Sequence, residues 1–278
     1  MNSRYLTCAG REIHFMEWGA PSSPPVLMWH GLARTGRDFD DLARTLAAHY
    51  RVICPDTLGR GLSAWAANPA AEYTYPFYGQ IALDLLRQLG ISKLRWVGTS
   101  MGGLLGIGLA GSVLKERITH LVLNDIGPII EPAAVERIVA YAGNPPVFDT
   151  LAELERWFRT VYAPFGIKSD SGWRQLTETS CRRMDNGKVT VHYDPRIVQG
   201  IANAAPPADP WALYDQIACK TLLLRGQDSD VIATATAQAM TRRGPKARLV
   251  EFAGYGHAPP LIEPDQQRVV ADFLAERP

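Results

Sequence analysis

Residues 93–111, KLRWVGTSMGGLLGIGLAG, constrain this chain more than any other stretch. Residues 94–97 form a short apolar run that reads as a buried strand, and from Met101 onward the chain can wind into a helix. Between them, Gly98-Thr99-Ser100-Met101-Gly102 leaves room only for a very sharp turn. Gly98 and Gly102 clear the space where strand and helix pass close together, and Gly103 lets the start of the helix pack on the sheet. Ser100 is then held in a strained conformation with its hydroxyl above the strand end. A helix starting just after it points its free N–H groups and positive dipole end at any negative charge forming there.

A strand of this kind needs neighbours, and the chain supplies them. Apolar runs at 26–29, 51–54, 118–123, 221–224 and 247–252 alternate with helical spacing at 38–49, 77–89, 101–114, 233–241 and 264–276. That alternation predicts an α/β fold, with a mostly parallel central sheet covered by helices on both faces. Residues 4–18 read as an antiparallel edge hairpin turning at Ala9-Gly10, and 64–76 as loop. After Asn124-Asp125-Ile126-Gly127-Pro128 the rhythm changes. Helical segments are expected at 133–142, 151–162 and 172–182, with short strands near 187–191 too polar for the central sheet. The chain therefore divides into a core, 1–127 with 211–278, and a mainly helical lid insertion, 128–210, rich in aromatic residues that can shape a pocket and exclude water.

At 278 residues, 46% hydrophobic and 21% charged, the chain can bury a large core. Its 29 Lys and Arg against 28 Asp and Glu leave no basic surplus for a phosphate backbone, so the partner expected is a small molecule and not nucleic acid. Neither a signal peptide nor a stretch of membrane-spanning length is legible, so no membrane partner is expected. Cys8, Cys54, Cys181 and Cys219 are scattered without CxxC pairs or clustered histidines, which argues against a metal site and for reduced thiols in the cytoplasm. The oligomeric state is not legible.

The turn at Ser100 has the Gly-x-Ser-x-Gly pattern of a nucleophile elbow. Together with the His30-Gly31 loop, the Asp56–Ser63 segment, an acid after a late strand and His257 before the last helix, it resembles the α/β-hydrolase superfamily over essentially the whole length. The order nucleophile, acid, histidine is that of the superfamily. A serine needs a base to take its proton, and His257, in the glycine-flanked loop Gly254-Tyr255-Gly256-His257, is the candidate. His14 and His120 in strand patterns, and His49 at a helix end, read as structural; His192 has no partner motif.

A third group must orient the imidazole. Arg225-Gly226-Gln227-Asp228-Ser229-Asp230 resembles the RGxxSD loop of one branch of the superfamily, and that resemblance favours Asp230. Asp228 and Asp125 remain alternatives, Asp125 because it too follows a sheet strand. The oxyanion donors expected are the backbone N–H of Met101, from its place in the elbow, and that of Leu32, from the resemblance. His30 reads as loop-shaping, Asp56, Gly59, Gly61 and Ser63 as a structural loop, and Arg34 and Arg60 as solvated loop arginines, with approach to an acidic substrate as the alternative. A serine in place of the aspartate of dehalogenases and epoxide hydrolases implies acyl chemistry: hydrolysis of a carboxylic ester, or of a lactone or carbon–carbon bond with the same residues, and no cofactor. The reading from another class is a catalytically silent receptor for a small ligand.

Overall fold

The structure is a computed structural model that describes residues 1–202 and 208–277. Its strands are β1 (Asn2–Cys8), β2 (Arg11–Trp18), β3 (Pro25–Trp29), β4 (Arg51–Pro55), β5 (Leu94–Thr99), β6 (Ile118–Asn124), β7 (Cys181–Arg183), β8 (Val189–Val191), β9 (Lys220–Gly226) and β10 (Arg248–Phe252). Eight of them make one sheet in the order β1-β2-β4-β3-β5-β6-β9-β10. The first two pairings are antiparallel, as the Ala9-Gly10 hairpin implies, and every pairing from β4 to β10 is parallel. From β3 the chain passes first to β4 on one side and then to β5 on the other. The C-terminal ends of β3 and β5 therefore open a crevice at a topological switch point, where α/β sheets place their ligands.

Both faces of the sheet are buried, which is why its strands read as continuous apolar runs. Leu27, Trp29, Ile53 and Trp96 pack on one face, Val26, Met28, Val52 and Val97 on the other, following the two-residue period of extended chain. The helices α3 (Tyr75–Gln88) and α4 (Met101–Ala110) lie with the first set, and α1 (Asp40–Leu46) and α10 (Pro264–Ala275) with the second. Trp29 and Trp96 stack at 5.6 Å beneath α4. Trp96 Nε1 donates to the Gly102 carbonyl at 3.0 Å, so a core tryptophan holds the first turn of that helix.

Between β6 and β9 the described residues carry α5 (Pro132–Gly143), α6 (Leu151–Val161), α7 (Asp170–Thr179), α8 (Gln199–Ala202) and the separate antiparallel pair β7-β8. This stretch is bonded to loops of the sheet. The Gly61 and Asp194 N–H groups donate to His192 and Gly59 carbonyls, and Gly256 N–H donates to Pro164. Three boundaries differ from the sequence reading. The helix expected at 38–49 opens as a 3-10 turn at Gly36–Phe39. The loop at 64–76 contains the short α2 (Pro69–Glu72), which a proline at its start permits. The helix expected to reach 182 stops at Thr179, whose hydroxyl turns back onto the Gln175 carbonyl, and the chain then extends into β7. The remaining helix, α9 (Thr234–Met240), lies where the spacing predicts it.

Candidate active site

Ser100 occupies the turn between β5 and α4 with φ 51° and ψ −116°, a positive-φ conformation that a non-glycine residue adopts only under constraint. The constraint is visible in its surroundings. A side chain on Gly102 would meet the Trp29 carbonyl, one on Gly98 would meet the Gly102 backbone, and one on Gly103 would meet Ile126. The Ser100 N–H donates to the Asn124 carbonyl at 3.0 Å, while its own carbonyl accepts from Gly103 and Leu104 and starts the helix.

His257 arrives from the loop after β10. Its Nε2 lies 2.9 Å from Ser100 Oγ, and its Nδ1 lies 2.7 Å from Asp125 Oδ2. The partners assign the tautomer: Nδ1–H donates to the carboxylate, which leaves the Nε2 lone pair facing the serine hydroxyl. Asp125 is fully buried directly after β6, also at positive φ, 55°. Both of its oxygens are engaged: Oδ1 accepts from Gly226 N–H at 2.9 Å, and Oδ2 from the Ser229 hydroxyl at 2.6 Å as well as from His257.

The acid beside His257 is thus Asp125, and the preference for Asp230 is corrected. Asp230 points away to Arg137 on α5, in a two-bond ion pair with both contacts at 2.9 Å and its side chain about half exposed, 48%. Asp228 is exposed. The RGxxSD loop instead buttresses Asp125. Arg225 Nε donates to the Ile232 carbonyl at 3.0 Å and shapes the loop, Gly226 offers its N–H, and Ser229 its hydroxyl. What the sequence offered toward Asp125 was its place after a sheet strand, and an aspartate tolerates positive φ better than most residues. Asn124 ties the three elements together: its Nδ2 donates to Thr99 Oγ1 at 3.1 Å and to the Pro259 carbonyl at 2.9 Å.

Leu32 and Met101 flank the serine. Among the described residues neither backbone N–H donates to a protein acceptor. Met101 opens the ten-residue α4, so its N–H lies at the positive end of that helix. His30 is fully buried: Nδ1–H donates to the Gly31 carbonyl at 2.6 Å, and Nε2 accepts from the Thr57 N–H at 2.9 Å. Burial pushes its pKa down to about 4, so it shapes the loop as a neutral ring. Asp56 gathers the neighbouring loop by accepting from Gly36 N–H, Leu62 N–H and His14 Nδ1, and a side chain on Gly61 would collide with that carboxylate.

The two loop arginines are not solvated, contrary to the sequence reading. Arg60 is fully buried. Its Nε donates to the Leu32 carbonyl at 2.8 Å, its Nη1 to the Leu58 carbonyl and the Tyr78 hydroxyl at 2.7 Å each, and its Nη2 touches Met101 Sδ at 3.6 Å. Arg34 is 4% exposed and clamps Asp38 through Nε and Nη2, at 2.9 and 2.6 Å. Burial by itself disfavours its charge, but Asp38 and Tyr162 outweigh that and hold the guanidinium well above its ordinary range.

A cavity of about 90 Å³ opens beside Ser100 and His257. Gly31 to Arg34 form one wall, Tyr141, Tyr162 and Phe165 another, and Pro259 and Ile262 a third. Among the described residues no cluster of three metal-ligating side chains occurs, and no helix is long and apolar enough to cross a membrane.

Residues 26–273 match the Alpha/beta hydrolase family. The chain is 39% identical over 270 residues to a 3-hydroxybutyrate-oligomer hydrolase of Cupriavidus necator, covering 94% of this chain and 92% of that one. An α/β hydrolase from Novosphingobium aromaticivorans superimposes with a TM-score of 0.90 at 36% identity, covering 98% of this chain and 97% of the other. A putative hydrolase from Rickettsia typhi gives 0.91 at 30% identity, over 100% and 99% of the two chains. With this fold and these relatives, the chain belongs to the α/β-hydrolase family and is a hydrolase.

Proposed function

We propose that this chain is a serine esterase that cleaves the carboxylic ester of a small, largely apolar substrate, with short oligomers of a hydroxy acid as the substrate class. The observation that carries the reading is the continuous hydrogen-bonded line from Ser100 Oγ through both nitrogens of His257 to Asp125 Oδ2, at 2.9 and 2.7 Å, on the rim of a cavity. The oligomer hydrolase named above supports the substrate class, because its repeating bond is an ester between one hydroxy acid and the next. The small size of the cavity, about 90 Å³, suits a short acyl unit. The four unpaired thiols support a reducing, cytoplasmic setting.

The residues define the steps. Ser100 Oγ attacks the ester carbonyl as His257 Nε2 takes its proton, and Asp125 stabilises the imidazolium while fixing its orientation. The carbonyl oxygen, now negative, accepts from Leu32 and Met101 N–H groups already in place. His257 returns the proton to the departing alcohol oxygen, which leaves the acyl group on Ser100. A water takes the alcohol's place, loses a proton to Nε2 and attacks the acyl carbon. Collapse of that second intermediate frees the acid and restores the serine hydroxyl.

The test is release of monomer from 3-hydroxybutyrate dimers and trimers by the purified protein, with intact-mass detection of a fluorophosphonate adduct. Ser100→Ala should lose the adduct and at least about 10⁴-fold in kcat/KM with its melting temperature preserved. Wild-type rates in that variant would remove Ser100 from the chemistry. Turnover of vinylogous diketones in place of esters would point to carbon–carbon hydrolysis, and neither turnover nor adduct to a silent receptor.

A further inference from the structure

Arg34 holds more hydrogen-bonding capacity than its surroundings use. Asp38 occupies Nε and one side of Nη2, and the Tyr162 side chain lies against the guanidinium, but Nη1 is buried and meets no acceptor in hydrogen-bonding geometry among the described residues. A guanidinium carries five N–H donors, two of them on Nη1, and a buried donor without a partner is rare in a folded protein. The guanidinium carbon stands 4.9 Å from the Tyr162 ring centre and 6.0 Å from that of Phe165, so aromatic faces cover it.

Its position is what gives the free edge meaning. Arg34 lines the same cavity as Ser100 and His257. A side chain built on Gly31 would begin 3.7 Å from Arg34 Cγ and 3.7 Å from Ser100 Cβ, so the arginine stem and the nucleophile are neighbours across that glycine. The acidic groups on this wall are already committed, Asp38 to Arg34 and Asp41 to Arg44.

We propose that Arg34 receives a carboxylate carried by the substrate, so that the enzyme selects esters bearing a free acid a few atoms from the scissile bond, as at the acid end of a short hydroxy-acid oligomer. This rests on the esterase reading above. With a small shift of the Tyr162 and Phe165 rings that cover the guanidinium, a carboxylate supplies the acceptor that Nη1 lacks, and a charge-assisted bond in a site screened from water is among the strongest a side chain makes. Asp38 holds the fork in a fixed orientation and balances its charge while the site is empty. The acid end also sets the direction of the substrate, with its ester carbonyl over Ser100.

The 3-hydroxybutyrate dimer and its methyl ester contain the same internal ester and differ at the acid end, where the methyl ester adds a second cleavable bond, so cleavage of the internal ester and not release of methanol is the quantity compared. The wild type should prefer the acid by about tenfold or more in kcat/KM. Arg34→Met combined with Asp38→Asn, which leaves no unpaired carboxylate behind, should lose about 30-fold on the acid, mainly in KM, and stay within about threefold on the methyl ester. Arg34→Lys keeps the ion pair, and with it the fold, but not the fork; about a tenfold loss confined to the acid is expected. Equal losses on both substrates would make Arg34 merely structural, and a wild type indifferent to the acid would overturn the assignment while leaving the esterase reading intact. Cleavage of neither dimer, with no fluorophosphonate adduct on Ser100, would remove the esterase reading and this inference with it.

Discussion

Two residues of the site, Ser100 and Asp125, sit at positive φ without being glycine. Each is held there by the sheet: the Ser100 N–H donates to the end of β6, and the Asp125 N–H donates to the Leu224 carbonyl of β9. Such conformations cost about 1–3 kcal/mol apiece, and the parallel ladder offsets that cost to place both side chains on one rim. The aspartates separate the possible roles cleanly. Asp125→Asn keeps the shape but offers His257 an amide that can stabilise the wrong tautomer, so kcat/KM for a short ester should fall about 10³- to 10⁴-fold with little change in melting temperature. Asp230→Asn breaks a half-exposed ion pair with Arg137 and should stay within about threefold. Parallel kinetics on the two variants decide between the carboxylates, and a larger loss at Asp230 would reverse the assignment.

At the scale of elements, the central strands were legible because they are buried on both faces and most covering helices because they are buried on one, whereas α4, buried nearly all round, was legible from the glycine turn before it. The elbow was legible because backbone crowding there admits glycine alone at positions 98 and 102. The partner of His257 was harder to read. Asp125 and Asp230 both follow sheet strands, and what separates them is the path of a loop: Arg225 and Ser229 turn the 226–232 segment so that it offers donors to Asp125 and sends Asp230 outward. The burial of Arg34 and Arg60 was hidden for a similar reason: the Tyr162 and Phe165 rings after α6 close over Arg34, and Tyr73, Tyr78 and Tyr193 surround Arg60. Arg60 joins the segments that carry the two free N–H groups, bonding the Leu32 carbonyl and touching Met101 Sδ. As a positioning residue it should act on turnover more than on binding. Arg60→Met is expected to lower kcat about 10- to 100-fold with KM nearly unchanged, and to cost roughly 3 kcal/mol of stability or more from unsatisfied carbonyls. Arg60→Lys should recover part of kcat; a loss confined to KM would place Arg60 in substrate binding instead.

For the molecule as a whole, buried histidines make acid stability a property of the fold. Burial lowers the pKa of His30 to about 4 and lowers those of His120 and His192 as well. Unfolding returns each ring to about 6.5. Between those values the unfolded chain binds protons that the folded chain refuses, so stability is complete above about pH 6.5 and is lost progressively as pH falls toward 4. His30 alone should remove about 2–3 kcal/mol between pH 7 and pH 4.5. Asp56 runs the same way lower down: burial raises its pKa, but His14, His30 and the Leu62 N–H outweigh that and hold it below the ordinary range, so its contribution disappears only in stronger acid. Urea unfolding of the wild type and of His30→Gln at the two pH values separates the terms. Glutamine keeps a polar group beside Thr57 and Gly31 but cannot titrate, so the variant should start less stable at pH 7 and lose about 2 kcal/mol less on acidification. Equal losses in the two proteins would mean that His30 takes up its proton without opening the loop that carries Leu32.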